Sequence, residues 1–453
     1  MTRTTIIEGA HVATVDAAGT EHRDGHIVID DGRITAVGAG PAPAALRADA
    51  EIVDGTGCLV TPGLVNTHHH LYQWLTRGYA QDSILFDWLT SLYPLWSRID
   101  AGLTGAGAAG AMAVLARSGC TTVGDHHYIF PQGSGDIVGA LVESATTVGV
   151  RLHATRGSMD LGASQGGLPP DFAVETTDAA LKASQEAVER YHDASFDSMV
   201  RIAIAPCSPF SVTADLLREA AVLARSLDVR LHTHASETVE EDAYCAEHFG
   251  MTPTEYLESL GWLGDDVWMA HAVHLDDPAI RRYAETGTGV AHCPSSNGRL
   301  AAGIAPVRAM LDAGVPVGLG VDGAASNESG QLGIEIRESV LMNRLRTGAD
   351  SMSVRDGLRV ATMGGARVLG RQDEIGSIEP GKLADIAVWQ VDRVEHAGIL
   401  DPVAALGLGA LPPLKRLYVG GRAIVEDATL VSADENAIAR GVAAASLELA
   451  ERL

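Results

Sequence analysis

Through the middle of the chain, short apolar runs alternate with longer stretches whose apolar residues recur at helical spacing. The runs are LVTPGLVNTHHHL (59–71), TTVGDHHYI (121–129), VRLHATRG (150–157), VRIAIAP (200–206), VRLHTHASE (229–237), VWMAHAVHL (267–275), GVAHCPSSN (289–297) and PVGLGVDGAAS (316–326). Stretches between them, such as DLLREAAVLARSL (215–227) and APVRAMLDAG (305–314), have the helical period. Eight strand–helix units predict a closed parallel (β/α)8 barrel of the TIM type, in preference to an open doubly wound sheet. The chain ends read differently. TTIIEGAHVATVD and HIVIDDGRITAVG near the start, and ADIAVWQVD and LKRLYVGGRAIVED near the end, alternate as strands, with turns at Asp31-Gly32 and Gly420-Gly421. Each end alone has too few strands for independent stability. Both ends are therefore expected to meet in one small β-sandwich: residues 1–58 as its N-terminal part, 59–375 as the barrel, and 376–453 as its C-terminal part with a terminal helix.

Composition narrows the class. A chain of 453 residues, 46% of them hydrophobic, suits one large barrel with an appendage. A net charge of -25 argues against a nucleic-acid partner, whose phosphates require clustered Lys and Arg. The five cysteines (Cys58, Cys120, Cys207, Cys245, Cys293) are scattered without a CxxC pair, which predicts reduced thiols. The alternating N-terminus lacks the apolar core of a signal peptide, and no stretch reaches the ~18 apolar residues of a membrane span. The expectation is a cytoplasmic enzyme with no membrane partner.

Nearly every barrel strand ends in a residue able to do chemistry, where a barrel of this kind builds its active site. His68 and His70 project from the same face of the first strand, because strand side chains alternate. Two such imidazoles can hold one divalent ion. His232 and His234 repeat the arrangement on the fifth strand. His234, nearer the mouth, is the better ligand, and His232, one layer deeper, reads as a core histidine. Asp322 ends the apolar, Gly-rich eighth strand, where an unpaired buried carboxylate would be costly. Three histidines and an aspartate leave room for water, the open arrangement of a catalytic site.

The ordered motifs NTHHH, HTHASE, MAH and VDGAASN, with TPGLVNTHHH near the start and GSIEPGKLADIAVWQVD near the end, resemble the amidohydrolase superfamily, in particular its deaminase and triazine-hydrolase branch. The resemblance covers essentially the whole chain. It implies His68, His70, His234 and Asp322 as metal ligands. It also implies Glu237 as proton shuttle and His271 as the residue that orients water or stabilises developing charge. Two-metal members carry a bridging Lys or Glu on the fourth strand. VRIAIAP has neither, which implies one divalent ion per chain, zinc with iron as the alternative. A small-molecule substrate and a homo-oligomer are the implied partners. The cytidine-deaminase zinc motif is absent: Cys207 follows Pro206, but no second cysteine comes three residues later.

For the substrate, Gln73 and Trp74 offer an amide and an indole to a base, Arg156 could meet a ring carbonyl or instead form a surface salt bridge, and RGSMDLGASQGGLPPD (156–171) could form a lid. HHHLYQWLTR, the 156–171 segment and APCSPFSV look most like the 8-oxoguanine deaminases, which release urate and carry a cysteine at the place of Cys207 where guanine deaminases carry an arginine. Guanine, isocytosine, pterins and hydroxylated s-triazines are alternative substrates of the same branch. A cyclic amide hydrolase is the more distant reading. Asn297, at the seventh strand mouth, could add a polar contact or cap the following helix, the cap being the preferred reading, while His126 and His127 are candidate substrate neighbours without an assigned role.

Overall fold

A computed structural model describes residues 4–453. The first three residues of the expected N-terminal part lie outside it. Eight parallel strands close a barrel: Leu64–Asn66, Cys120–His127, Arg151–Ser158, Val200–Pro206, Leu231–Ala235, Val267–His271, Gly289–His292 and Val317–Leu319. Each pairs with its sequence neighbours, and Leu319 opposite Asn66 closes the ring. All eight apolar runs supply a strand. They are buried throughout most of their length, as strands covered on one side by helices and on the other by the barrel interior must be. The predicted helices follow at Ala214–Ser226 and Val307–Ala313.

The 59–71 run serves two sheets. Cys58–Pro62 pairs in the terminal sheet, and the chain enters the barrel only after Gly63. Among the described residues that second sheet has nine strands from both chain ends, joined where Val388 pairs with Val60. Its inner side chains share one apolar cluster that includes Ile7, Ile27, Ile34, Val60, Ile386 and Val388. The two ends thus form a single continuous sheet around a common core. Asp31 and Gly32 take φ of 46° and 76°, the left-handed pair that a tight hairpin with right-handed strand twist requires.

At the barrel mouth the eighth strand depends on its glycines. A Cβ on Gly320 would stand 2.8 Å from the His68 Cβ and 2.9 Å from the Cys293 sulfur. The bare backbone is what lets the first and eighth strands bring His68 and Asp322 together.

Candidate metal centre and active site

His68 and His70 follow the first strand directly, His234 lies on the fifth, and Asp322 follows the eighth. Their side chains converge. Asp322 Oδ1 is 3.2 Å from Nε2 of both His68 and His70, and His70 Nε2 is 3.2 Å from His234 Nε2. The protonation of each ring follows from its other nitrogen. The Nδ1–H of His70 donates to the His126 carbonyl at 2.6 Å, and that of His234 to the Cys207 carbonyl at 2.7 Å. A carbonyl can only accept, so both Nε2 atoms carry lone pairs. His68 Nδ1 is 2.8 Å from His232 Nε2, and its own Nε2 and Asp322 Oδ1 are buried without a hydrogen-bond partner. Lone pairs and a carboxylate oxygen facing one another at this range repel unless a cation lies among them. The donor set of imidazoles and one carboxylate suits zinc or ferrous iron.

Burial holds the His68 and His234 imidazoles neutral. His68 is pushed well below its usual range by burial, reinforced by His70 and opposed by Asp322, and His234 is pushed down to about 3, by burial first and then by neighbouring histidines. Asp322 turns Oδ1 toward the His68 and His70 rings. Its other oxygen, Oδ2, accepts from Ser296 at 2.6 Å and Ser326 at 3.2 Å. One oxygen is therefore anchored while the other faces the histidines.

Glu237 and His271 complete the group. His271 Nε2 lies 3.6 Å from Glu237 Oε2 and 3.9 Å from Asp322 Oδ2. Burial, and then the charge of Asp322, push the Glu237 carboxyl well above its ordinary range. Glu241 fixes the turn beneath it by accepting from the backbone N–H of Ser236 and Glu237, both at 2.9 Å. Ser236, His271 and Asp322 all have left-handed backbone, with φ of 54°, 74° and 62°. Such conformations are costly for residues with a Cβ and gather at functional sites; here they turn three strand ends sharply into the mouth.

A narrow cavity of about 30 Å³ sits over these groups. His70, His234, Glu237, His271 and Asp322 form its polar side, while Trp88, Tyr93, Tyr128, Phe210 and Leu300 supply apolar wall. A match to the sequence model of the amidohydrolase family spans residues 59–421. The chain belongs to the amidohydrolase family. It is 45% identical over 430 residues to an 8-oxoguanine deaminase of Pseudomonas aeruginosa, covering 94% of this chain and 95% of that protein. It is 37% identical over 461 residues to an isoxanthopterin deaminase from an unknown prokaryotic organism, covering 95% and 94%. An atrazine chlorohydrolase from Arthrobacter aurescens, solved in complex with zinc, superposes with a TM-score of 0.92 at 34% identity, covering 98% of this chain and all of that one. As a member, the chain is a hydrolase acting on C–N bonds.

Of the four residues expected to meet the substrate, this amidohydrolase brings only Cys207 to the cavity, its thiol pushed up to about 12 by burial and therefore neutral. Trp74 is instead core: its ring packs against Gly110 and Gly330, and Arg77 covers it at 3.9 Å. Arg156 is taken up by Glu175, at 2.9 and 2.7 Å, and lies over Phe130 at 3.5 Å. Its partner lies 19 residues downstream, so the pair ties the foot of the 156–171 segment instead of facing a ligand. Gln73 is fully buried against Gly323, beside Asp322, outside the cavity lining. The 156–171 segment itself leans on the site, with the Leu168 N–H donating to the Phe210 carbonyl at 3.1 Å.

Three residues acquire contacts that the sequence did not assign. Asn297 is inside the helix Pro294–Arg299, not at its cap, and its Oδ1 accepts from His271 Nδ1 at 3.0 Å. The polar contact wins because His271 would otherwise bury an unpaired N–H. His126 donates through Nε2 to the Ala205 carbonyl at 3.0 Å and stacks on His234 at 4.7 Å. His127 bonds the Ile129 carbonyl at 2.7 Å and faces Tyr72.

Proposed function

We propose that this protein is a hydrolytic deaminase of an amino-substituted purine-like heterocycle, with 8-oxoguanine as the substrate and urate and ammonia as the products. The observation that carries the reading is the convergence of His68, His70, His234 and Asp322 beneath a cavity that also presents Glu237 and His271 and is walled by aromatic rings. The 8-oxoguanine deaminase relative, matched over nearly its full length, supports the choice of substrate. The four ligands would hold one divalent ion per chain, zinc or in its place iron. Such an ion would supply Lewis acidity, making a water held beside it more acidic.

The chain's own groups do the rest. Asp322, with Oδ2 anchored by Ser296 and Ser326, accepts the water proton as the water oxygen bonds to the amino-bearing ring carbon. Attack places negative charge on the adjacent ring nitrogen, and Glu237 donates a proton there. His271, oriented by Asn297, stabilises the charge developing on the attacking oxygen. The hydroxyl proton then passes to Glu237, restoring its acid form, as the C–N bond breaks and its electron pair leaves on the amine with the proton relayed from Asp322, as ammonia. The ring carbon keeps the water oxygen. Trp88 and Tyr93 offer apolar faces to the planar substrate, and the Cys207 thiol leaves space where a longer cationic side chain would project. Five buried, unpaired thiols support the cytoplasmic location expected from the sequence; no helix among the described residues is long and apolar enough to cross a membrane.

A panel of amino-heterocycles assayed for ammonia release with the metal-loaded protein tests the reading. 8-Oxoguanine should be turned over in strong preference to guanine, isoxanthopterin, isocytosine and hydroxylated s-triazines. Equal or better turnover of guanine, or activity confined to triazines, rejects the substrate assignment.

A further inference from the structure

Each of the three histidine ligands in the proposed set needs its Nδ1–H held so that Nε2 keeps a lone pair for the cation. For His70 and His234 the holder is a backbone carbonyl, of His126 and Cys207. For His68 alone it is a side chain. His68 Nδ1 lies 2.8 Å from Nε2 of His232, a residue that its depth in the barrel had marked as core.

The direction of that bond is fixed from the far end. His232 Nδ1 is 2.9 Å from the Trp268 carbonyl, which can only accept, so the proton of His232 resides on Nδ1 and its Nε2 is an acceptor. It follows that His68 donates from Nδ1 and is unprotonated at Nε2, the atom 3.2 Å from Asp322. The His232 ring lies flat on the Trp268 indole, with centroids 4.3 Å apart and planes at 11°, so it cannot tilt without losing the stack. The Trp268 Nε1–H in turn donates to the Thr67 carbonyl at 3.1 Å, one residue before His68. A closed circuit of contacts thus runs from the first strand through Trp268 and His232 back to the imidazole of His68.

We propose that His232 is a positioning residue that sets the tautomer and ring orientation of His68 for metal binding. The proposal rests on the reading of His68 as a ligand. Packing alone would be satisfied by any flat ring on Trp268, whereas positioning requires an acceptor at the place of Nε2. His232→Phe keeps the stack and removes the acceptor, leaving a buried N–H on His68 unpaired. His232→Gln places its amide oxygen close to where Nε2 stood.

Zinc affinity, measured by chelator competition on the purified full chain, should fall roughly 10–100-fold in His232→Phe and recover to within about threefold of wild type in His232→Gln. Unchanged affinity in His232→Phe overturns the proposal, as does an equal loss in both variants, which would indicate packing. Should His232→Phe fail to fold, the metal-free wild-type protein still decides: with ¹⁵N-labelled histidine and His68 assigned by its loss in His68→Ala, His68 should be protonated at Nδ1, and protonation at Nε2 overturns the proposal. His68→Ala separates the two readings. If it binds zinc as tightly as wild type, the ligand set is wrong; if it loses zinc while His232→Phe binds normally, only the role of His232 is wrong.

Discussion

At the scale of single residues, the roles assigned to Glu237 and Asp322 differ in what each touches. Glu237 faces His271 and the cavity but is not among the groups at 3.2 Å around the proposed ion position. Glu237→Gln keeps size and hydrogen bonding and removes the acidic proton. Its kcat should fall by about 10²–10⁴-fold, while metal analysis still returns one ion per chain. Asp322→Asn should lower both kcat and metal content, because it removes a ligand charge and the proton acceptor together. A Glu237→Gln protein that loses its metal, or keeps near-normal kcat, contradicts the assignment. The meeting of His68, His70, His234 and Asp322 was legible in the sequence because a buried carboxylate or paired histidines at a strand end have few purposes other than chemistry, whereas Glu237 was singled out only by the family resemblance. For Arg156 the sequence left a ring contact and a salt bridge both open: its partner Glu175 is close only after the intervening loop folds, and a guanidinium already paired is not available to a ligand. His232 was placed at the right depth but read as inert, because the sequence does not show what its ring nitrogens meet.

Among the elements, the helix Leu85–Trp96 was the one whose purpose the pattern concealed. Leu85, Trp88, Leu89 and Leu92 fall at the spacing of any amphipathic helix, and periodicity shows that a face is buried, not what it is buried against. Here that face includes cavity wall: Leu85, Trp88, Leu89 and Tyr93 look into the site, and the Trp88 Nε1–H donates to the Ala325 carbonyl at 3.2 Å, three residues beyond Asp322. Stacking of a base on an aromatic side chain contributes about 1–3 kcal/mol. Trp88→Leu should therefore raise KM for 8-oxoguanine by roughly fivefold or more, with a smaller change in kcat and unaltered metal content, as read from steady-state kinetics.

For the whole molecule, the eight-fold alternation of strands and helices was legible because each strand is apolar through its length and each helix carries its own period. The union of the chain ends was legible as well, since neither end could be stable alone. What the sequence left open was how the terminal sheet is locked to the barrel. Arg151, at the start of the third barrel strand, pairs with Asp385, immediately before the strand Ile386–Gln390, at 2.8 and 3.0 Å. Both side chains are buried, and Asp385 also accepts from the Gly420 N–H at 2.7 Å, beside the hairpin turn. Removing one member of a buried pair strands the other charge, which typically costs about 3–5 kcal/mol. Asp385→Ala should lower the midpoint of urea unfolding by a corresponding amount and leave the ligand set, far along the barrel strands, with its full metal content. An unfolding midpoint at the wild-type value would show that the pair does not bind the two units together.

The reaction proposed for this site is a hydrolysis, in which water oxygen enters the ring carbon as the amine leaves. Metal-loaded protein incubated with 8-oxoguanine in H₂¹⁸O should yield urate bearing one ¹⁸O atom and one ammonia per urate formed. Urate without the label, ammonia out of proportion to it, or a ring-opened product that has gained water while keeping its amine would contradict the mechanism drawn for this site.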